Sequence, residues 1–393
     1  MRVLVLNQFF WPDPAATSQF LTDLARGLAI EGHSVTAICS GSQYVHHRDA
    51  ESAEKTTRTI RVRTAQFSRG RFGRVVSYLS FYCGALWRSL WLPRQDVVLT
   101  LTTPPLLCLV GTVLKSLRGS RHYIWEMDVY PDVAVALGVL RPGSAVTRIL
   151  GALVSYSRRR ADGVIALGEC MRERLGAGGM PAEKIHVAEN WADGSRIGPL
   201  PHVEDGRLKI LYSGNLGLAH DVDTITQAIM RLAADPQFSF SFAGGGPQRG
   251  ALEDACKQYR VADVTFEPYK DAADLSGHFG RCDVGLVTQK AATLGCVVAS
   301  KTYALMAAAR PILFIGPREA TPARIIERFR CGWQIDPGDV DALLELLRLL
   351  AAKPGLVRDA GARSYAAFRQ HYDLPQGVAN IARILCVPLE VQR

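Results

Sequence analysis

The first forty residues place a helical pattern between two short apolar runs. "MRVLVLNQFF" and "SVTAICS" are rich in β-formers, whereas "QFLTDLARGLAIEGH" repeats apolar residues at helical spacing. A strand, a helix and a second strand in this order form a βαβ unit, whose two strands run parallel. The beginning of the chain therefore predicts an α/β fold built on a parallel sheet.

The alternation continues along the chain and is interrupted once by a polar segment. The further strand candidates of the first half are "DVVLTLT", "RHYIWEM", "DGVIALG" and "KIHVAEN". The segment "GPLPHVEDGR" (198–207) predicts a linker, after which strands and helices alternate again. Because 393 residues exceed one ordinary core, we predict two Rossmann-like parallel-sheet domains facing across a cleft. Their expected bounds are 1–200 and 201–370, with a C-terminal helix in 371–393 that packs back toward the first domain.

The positive charge is concentrated in the first half of the chain. Residues 1–200 hold 24 Lys and Arg against 16 Asp and Glu, whereas residues 201–393 hold 22 against 21. A basic half predicts an anionic partner, namely a phosphorylated substrate or a phospholipid surface. Nucleic acid is not expected, because no helix-turn-helix, zinc-finger or RNA-binding signature accompanies the charge.

The nine cysteines are scattered without the spacing of a metal site. Their odd number and the strand-like beginning of the chain predict a reducing compartment, and therefore a cytoplasmic protein.

Residues 69–94 form an amphipathic pattern with arginines toward both ends. Phe72, Val75, Val76, Leu79, Tyr82, Leu86 and Leu90 are predicted to share one broad face. The uncharged part, 75–87, is too short to span a bilayer. A helix lying in the membrane interface and a helix packed on the sheet both fit this pattern. For the first alternative, peripheral contact with the cytoplasmic face of the inner membrane would involve Arg69, Arg71, Arg74, Trp87 and Arg88.

Two glycine-containing turns follow neighbouring predicted strands in the second half. "ILYSGNLG" places Gly214, Asn215 and Gly217 after one strand, and "FSFSFAGGGP" places Gly245 and Gly246 after the next. Such turns suit the close approach of an anion, although glycines also commonly end strands. A third element is a helix that begins with Ser300 and Lys301, where a lysine opposes the helix dipole unless an anion is present. Together the three elements predict a nucleotide-diphosphate site.

Several segments in the same order give the whole chain a family resemblance. They are "QFFWPDPAATSQFLTDLARGLAIEGHSVT", "WEMDVYPDVAVALG", "NWAD", "YSGNLGLAHDVDTI", "FAGGGPQRGALE" and "SKTYALMAAARPIL". With these segments the chain resembles the family 4 glycosyltransferases of the GT-B fold, and most of all their bacterial colanic-acid and exopolysaccharide subgroup. The resemblance implies transfer of a sugar from a nucleotide diphosphate, with retention of anomeric configuration and with neither a metal nor another cofactor. The donor would be a sugar linked to UDP or GDP.

The chain departs from the family pattern at four positions. The family usually carries an arginine and a lysine where this sequence has Asn215 and His220, and two glutamates where it has Cys296 and Ala304. We expect Lys301 to replace the lost positive charge. His220 is retained as a candidate donor-site residue.

In the first half the resemblance points to Asp128, which follows the predicted strand "RHYIWEM". A carboxylate there could accept the proton of the acceptor hydroxyl or orient the acceptor, with Glu126 as the alternative, although a turn aspartate fits as well. Ala15, Ala16 and Asn190 are assigned to the acceptor side of the cleft. The acceptor would be a saccharide or a lipid-linked saccharide.

Two other functions remain open for this sequence. The first is a nucleotide-sugar 2-epimerase on the same fold, which uses carboxylates and a histidine and needs no acceptor. The second is a non-catalytic nucleotide-binding subunit, which the missing glutamates would allow.

Overall fold

The chain folds as two units. The structure, a computed structural model, describes residues 1–13, 15–41, 57–64, 71–200, 205–259, 261, 263–270 and 274–385, with the backbone alone at 71, 72 and 74. Unit 1 comprises Met1–Glu189 with Pro375–Arg393, and unit 2 comprises Asn190–Leu374.

The described part of unit 1 is built on a seven-stranded parallel sheet with the order β3-β2-β1-β4-β5-β6-β7. Its strands are β1 (Arg2–Leu6), β2 (Ser34–Ser40), β3 (Arg58–Val62), β4 (Val97–Leu101), β5 (Arg121–Glu126), β6 (Gly163–Ala166) and β7 (Ile185–Val187). Its helices are α1 (Ala16–Ile30), α2 (Arg71–Leu90), α3 (Cys108–Arg118), α4 (Asp132–Ala136), α5 (Ala145–Arg160), α6 (Glu169–Ala177) and α14 (Leu374–Ile384), which begins at the last residue of unit 2.

Unit 2 contains a six-stranded parallel sheet with the order β10-β9-β8-β11-β12-β13 among the described residues. Its strands are β8 (Leu208–Ser213), β9 (Phe238–Ala243), β10 (Val264–Glu267), β11 (Val284–Thr288), β12 (Ile312–Ile315) and β13 (Gly332–Ile335). Its helices are α7 (Asp223–Arg231), α8 (Arg249–Gln258), α9 (Leu275–Gly280), α10 (Lys301–Ala307), α11 (Thr321–Phe329), α12 (Val340–Ala352) and α13 (Pro354–Ala367).

Strand β8 shows why the second sheet is covered on both faces. Ile210 and Tyr212 belong to one buried cluster, and Leu211, which lies between them, belongs to another. Successive side chains of a strand point to opposite faces, so both faces of the sheet carry a core. The predicted fold of two parallel α/β sheets is confirmed.

The units divide at 189/190 and 374/375, whereas the sequence placed the divisions at 200/201 and 370/371. Residues 190–197 pack with the second core, because Ala192 and Ile197 are buried there. The N–H of Ala192 donates to the Tyr372 carbonyl (3.0 Å), and that of Gly194 donates to Asp373 Oδ1 (2.9 Å). At the other end, Val378 of α14 packs against Gly27 of α1 within unit 1, where an added Cβ would lie 2.6 Å from Val378 Cγ1.

The residues of α2 that the sequence predicted to share one apolar face differ in burial. Tyr82, Leu86 and Leu90 pack against the core of unit 1, beneath which Phe81 and Ala85 are fully buried. In contrast, Val75, Val76 and Leu79 are exposed. The part of this face that packs on the core therefore lies toward the end of the helix, whereas the part toward its beginning stays uncovered within the described part of the chain.

Candidate functional site

The two glycine turns of unit 2 pack against each other at the carboxyl ends of β8 and β9. The N–H of Leu216 donates to the Gly245 carbonyl (2.7 Å). A Cβ on Gly244 would lie 2.2 Å from the Gly214 oxygen, and one on Gly246 would lie 2.5 Å from the Leu216 oxygen. Glycines 244 and 246 also have positive φ angles (122° and 127°), so close backbone packing by itself requires glycine there.

Part of the backbone at these turns is occupied by the protein's own hydrogen bonds. The N–H groups of Gly214 and Gly244 donate to the carbonyls of Ala243 (2.8 Å) and Glu267 (3.0 Å). Those two amides are therefore not directed at a ligand. Gly217 lies three residues after Gly214 in the first turn, and a Cβ added to it would lie 3.2 Å from Asn215 Nδ2.

Lys301 brings a cationic side chain to the first turn. Its Cε and Nζ would both lie 3.6 Å from a Cβ on Gly214. Nζ donates a hydrogen bond to the Tyr212 hydroxyl and lies 3.7 Å from the centroid of that ring. Burial lowers the pKa of Lys301 well below its usual range, although the residue keeps some exposed surface. Ser300 precedes the helix, and its side chain caps no helical N–H.

His220 also contacts Tyr212, with its ring edge-on to that ring at 5.7 Å between centroids. Its Nδ1–H donates to the Thr288 carbonyl (2.7 Å). Burial, and less strongly the charge of Lys301, lowers the pKa of His220 to about 3. At neutral pH the imidazole is therefore uncharged, and His220 adds no positive charge to that of Lys301.

Tyr269 and Tyr212 are site residues that the sequence interpretation missed. Tyr269 is 60% exposed, and its ring lies 3.2 Å from the position of a Cβ on Gly245. Its hydroxyl is 3.5 Å from Oδ1 of the exposed Asn215. The available signal was the position of Tyr269 just after β10, the strand next to β9, because carboxyl ends of neighbouring parallel strands meet at one edge.

Asp128 of unit 1 lies two residues beyond β5 and is held by Thr102. The hydroxyl Oγ1 of Thr102 accepts hydrogen bonds from the N–H groups of Met127 (3.2 Å) and Asp128 (3.1 Å). Burial, followed by the negative charge of Glu126, raises the pKa of Asp128 to about 6. The carboxylate is thus ionised at neutral pH and has the basicity expected of a general base.

Glu126, the alternative to Asp128, is buried in an ion pair. Its Oε1 lies 2.7 Å from Nε of Arg158, and the carboxylate is 1% exposed. Arg158 also donates to the Tyr130 carbonyl (3.3 Å). The second oxygen, Oε2, accepts no hydrogen bond from the described residues. This geometry gives Glu126 a structural position, from which it acts on Asp128 through its charge.

The remaining predicted residues lie on elements other than those described above. Ala15 precedes α1 and accepts backbone hydrogen bonds from the first turn, and Ala16 is the exposed first residue of that helix. Asn190 is buried at the start of unit 2. Among the predicted membrane residues, Trp87 and Arg88 are exposed. Arg69 lies outside the described residues, and the side chains of Arg71 and Arg74 are not among those described. The described residues contain no cluster of His, Cys, Asp or Glu able to hold a metal ion.

Two family models match this chain in tandem. A "Glycosyl transferase 4-like domain" matches residues 16–191, and "Glycosyl transferases group 1" matches residues 201–367. The chain belongs to the family 4-like glycosyltransferases of the GT-B fold. This enzyme is therefore a glycosyltransferase.

Its relatives include two bacterial proteins. "Probable glycosyltransferase WbjE" of Pseudomonas aeruginosa is 30% identical over 65% of this glycosyltransferase and 66% of its own length, just under two thirds. "Putative colanic acid biosynthesis glycosyl transferase WcaI" of Escherichia coli (strain K12) is 22% identical over 93% of this chain and 95% of its own.

Two solved structures share the fold of this glycosyltransferase at low identity. Sucrose-phosphate synthase of Thermosynechococcus elongatus has a TM-score of 0.76 at 14% identity and covers 98% of each chain. HepE of Anabaena, solved in complex with UDP-glucose, has a TM-score of 0.73 at 14% identity and covers 99% of this chain and 100% of its own.

Proposed function

We propose that this glycosyltransferase moves a sugar from a nucleotide diphosphate to a saccharide or lipid-linked acceptor in bacterial polysaccharide assembly. The observation that carries the proposal is the position of Lys301 against Tyr212 and the Gly214 turn, at the carboxyl edge of the second sheet. That edge is where open parallel sheets bind ligands. The relatives named for glycosyl transfer and colanic acid biosynthesis, and the neighbour solved with UDP-glucose, support this class of donor and product.

Lys301 would supply the positive charge for the diphosphate. A partly buried lysine with no acidic partner among the described residues is costly as a cation, and an arriving diphosphate would offset that cost. Tyr269 would offer its exposed ring to the base, because it is an aromatic side chain in contact with the second turn. We propose UDP or GDP as the nucleotide, and transfer without a metal.

Asp128 would serve the acceptor. In the proposed reaction the hydroxyl proton of the acceptor passes to the Asp128 carboxylate, or the carboxylate orients that hydroxyl. The bond between the sugar C1 and the diphosphate oxygen breaks, and the new glycosidic bond forms with retention of configuration. The pKa of Asp128, about 6, leaves its carboxylate ionised for this role near neutral pH.

We propose a cytoplasmic location with peripheral contact at the inner membrane through α2. The exposed Trp87 and Arg88 have the aromatic and cationic character found at head-group level. Among the described residues, no helix is long and apolar enough to cross a bilayer.

The decisive experiment begins with thermal-shift measurements against UDP, GDP, ADP and dTDP. The stabilising nucleotide is then supplied as its nucleotide sugars, with and without saccharide acceptors, in the presence of a chelator. Transfer only with an acceptor, and a product of unchanged anomeric configuration, is the expected result. Isomerisation of the sugar nucleotide alone would indicate a 2-epimerase, and binding without turnover would indicate a non-catalytic subunit.

A further inference from the structure

Three helices of unit 1 form one continuous layer, in which α3 lies between α2 and α5. On one side, Arg118 at the end of α3 donates to the Leu92 carbonyl, just beyond α2 (2.7 Å). On the other side, the hydroxyls of Thr112 in α3 and Ser157 in α5 are 2.7 Å apart. Side chains that point outward from these helices therefore belong to one surface.

That surface is unusually apolar. Eleven of the nineteen large hydrophobic side chains exposed in the described part of the chain lie on these helices or at Trp91, directly after α2. The most exposed of them include Trp87 (61%), Trp91 (73%), Leu117 (65%) and Ile149 (60%). Soluble monomers rarely expose contiguous apolar patches of this kind unless the patch binds something.

The three helices carry no negative charge in their sequence, and Asp162, directly after α5, pairs with Lys115 of α3 (2.6 Å). Residues 71–95, 97–125 and 133–161 contain neither aspartate nor glutamate. Arg88 on α2 and the arginines Arg148, Arg159 and Arg160 on α5 are exposed. Arg160 lies over the ring of Tyr156 at 5.5 Å, as a cation does beside an interfacial aromatic.

We propose that the outer faces of α2, α3 and α5 together form a docking surface for an anionic lipid bilayer, with α5 supplying its second half. This inference rests on the membrane contact proposed above for α2 and deepens it. The apolar side chains would enter the boundary between head groups and acyl chains, while the arginines contact phosphates. A second copy of the chain is a poor occupant, because a two-fold interface would set the arginines of α2 and α5 against each other, and neither helix carries a carboxylate.

The test is flotation of the full-length protein with vesicles. The variants are placed in α5, because the sequence predicted no membrane contact for that helix. The parent should float with mixed phosphatidylcholine and phosphatidylglycerol, float less with phosphatidylcholine alone, and dissociate as salt is raised. The double variant Ile149→Ser/Leu153→Ser should lose about tenfold or more in vesicle affinity, because neither position then has an apolar side chain to bury in the bilayer. The variant Arg148→Gln/Arg159→Gln should lose on the order of fivefold per arginine at low salt.

The matched control is Ile30→Ser/Leu349→Ser, which removes two exposed aliphatic side chains that lie outside the three helices. It should float as the parent does, and all variants should bind nucleotide and melt like the parent. A parent that stays in the soluble fraction, or an α5 variant that floats like the control, would overturn the proposal. The proposal would also be overturned if the parent formed a dimer at high concentration and only the α5 variant lost that dimer. Because flotation needs no turnover, the result is independent of the proposed sugar transfer.

Discussion

Lys301 and Tyr212 form a cation–aromatic contact at the carboxyl end of β8, 89 residues apart in the chain. Nζ of Lys301 lies 3.7 Å from the ring centroid and donates to the tyrosine hydroxyl, while its Cε and Nζ face Gly214. The same tyrosine hydroxyl donates to the Asn215 carbonyl (2.8 Å) and so ties the lysine to the turn. The amine of Lys301 is therefore positioned before any ligand arrives.

Lys301→Ala is expected to weaken binding of the nucleoside diphosphate by about ten- to a hundredfold. A hydrogen bond to a charged group is worth roughly 1.5–3 kcal/mol, which sets this range. Isothermal titration calorimetry measures the change, with the exposed Lys353→Ala as the matched control. Equal affinity in the parent and in Lys301→Ala would remove this lysine from the site.

Diphosphate binding should take up a proton. Burial lowers the pKa of Lys301 in the free protein, and a bound diphosphate would raise it again because it favours the ammonium. Between the two pKa values the complex holds one more proton, so affinity should fall as pH rises through that window. Calorimetry in buffers of different ionisation enthalpy, at a pH where the nucleotide is fully ionised, counts the proton. Uptake should vanish in Lys301→Ala, and a parent without uptake would contradict the prediction.

The sequence predicts the strands that carry continuous apolar runs, but not β3. That strand lies at the edge of the first sheet, beyond β2. Its sequence, "RTIRV", has only two apolar residues among five, and only Val62 is buried. An edge strand buries little side-chain surface, so its sequence carries neither the length nor the hydrophobicity by which buried strands are recognised.

The positions of the site residues in the chain are similarly predictable, whereas their partners are not. Gly214, Gly245 and Lys301 follow strands or begin a helix, and such positions can be read from local pattern. The close approach of glycines 244 and 246 to the first turn depends on contacts between distant segments, and so does the ion pair of Glu126 with Arg158. Local patterns contain no information on such contacts.

Tyr269→Ala should weaken nucleoside diphosphate binding without affecting pyrophosphate. Stacking of a base on an aromatic ring is worth about 1–3 kcal/mol, and pyrophosphate has no base to stack. Tyr269→Phe should retain the parental affinity, because it keeps the ring. Tyr259→Ala, at an exposed tyrosine just after α8, is the control. Equal losses for both ligands would show that Tyr269 supports the turn rather than the base.

Asp128→Asn is expected to reduce turnover by about 10²–10⁴ while donor affinity stays unchanged, because the carboxylate acts on the acceptor. In the parent, the rate should fall as pH drops through about 6, where Asp128 becomes protonated. Steady-state rates and calorimetry separate the two quantities. Asp132→Asn, whose carboxylate pairs with Arg174 (3.0 Å), serves as the control. Turnover at the parental rate would identify Asp128 as a turn residue only.

Breaking the Glu126–Arg158 pair should destabilise unit 1 and, separately, alter the titration of Asp128. Arg158→Met leaves a buried carboxylate without its cation, which costs about 3–5 kcal/mol in the free energy of unfolding. Glu126→Gln/Arg158→Met should recover much of that loss, because neither residue then carries a charge. Urea denaturation of the two single variants and the double variant measures the coupling.

Glu126→Gln alone should move the acid limb of the pH–rate profile to lower pH. The charge of Glu126 raises the pKa of Asp128, so its removal makes Asp128 easier to ionise. A catalytic Glu126 would instead abolish turnover at every pH. Retained turnover with a shifted limb therefore separates a residue that acts through Asp128 from one that touches the substrate, and an unshifted limb would show that the two carboxylates do not interact.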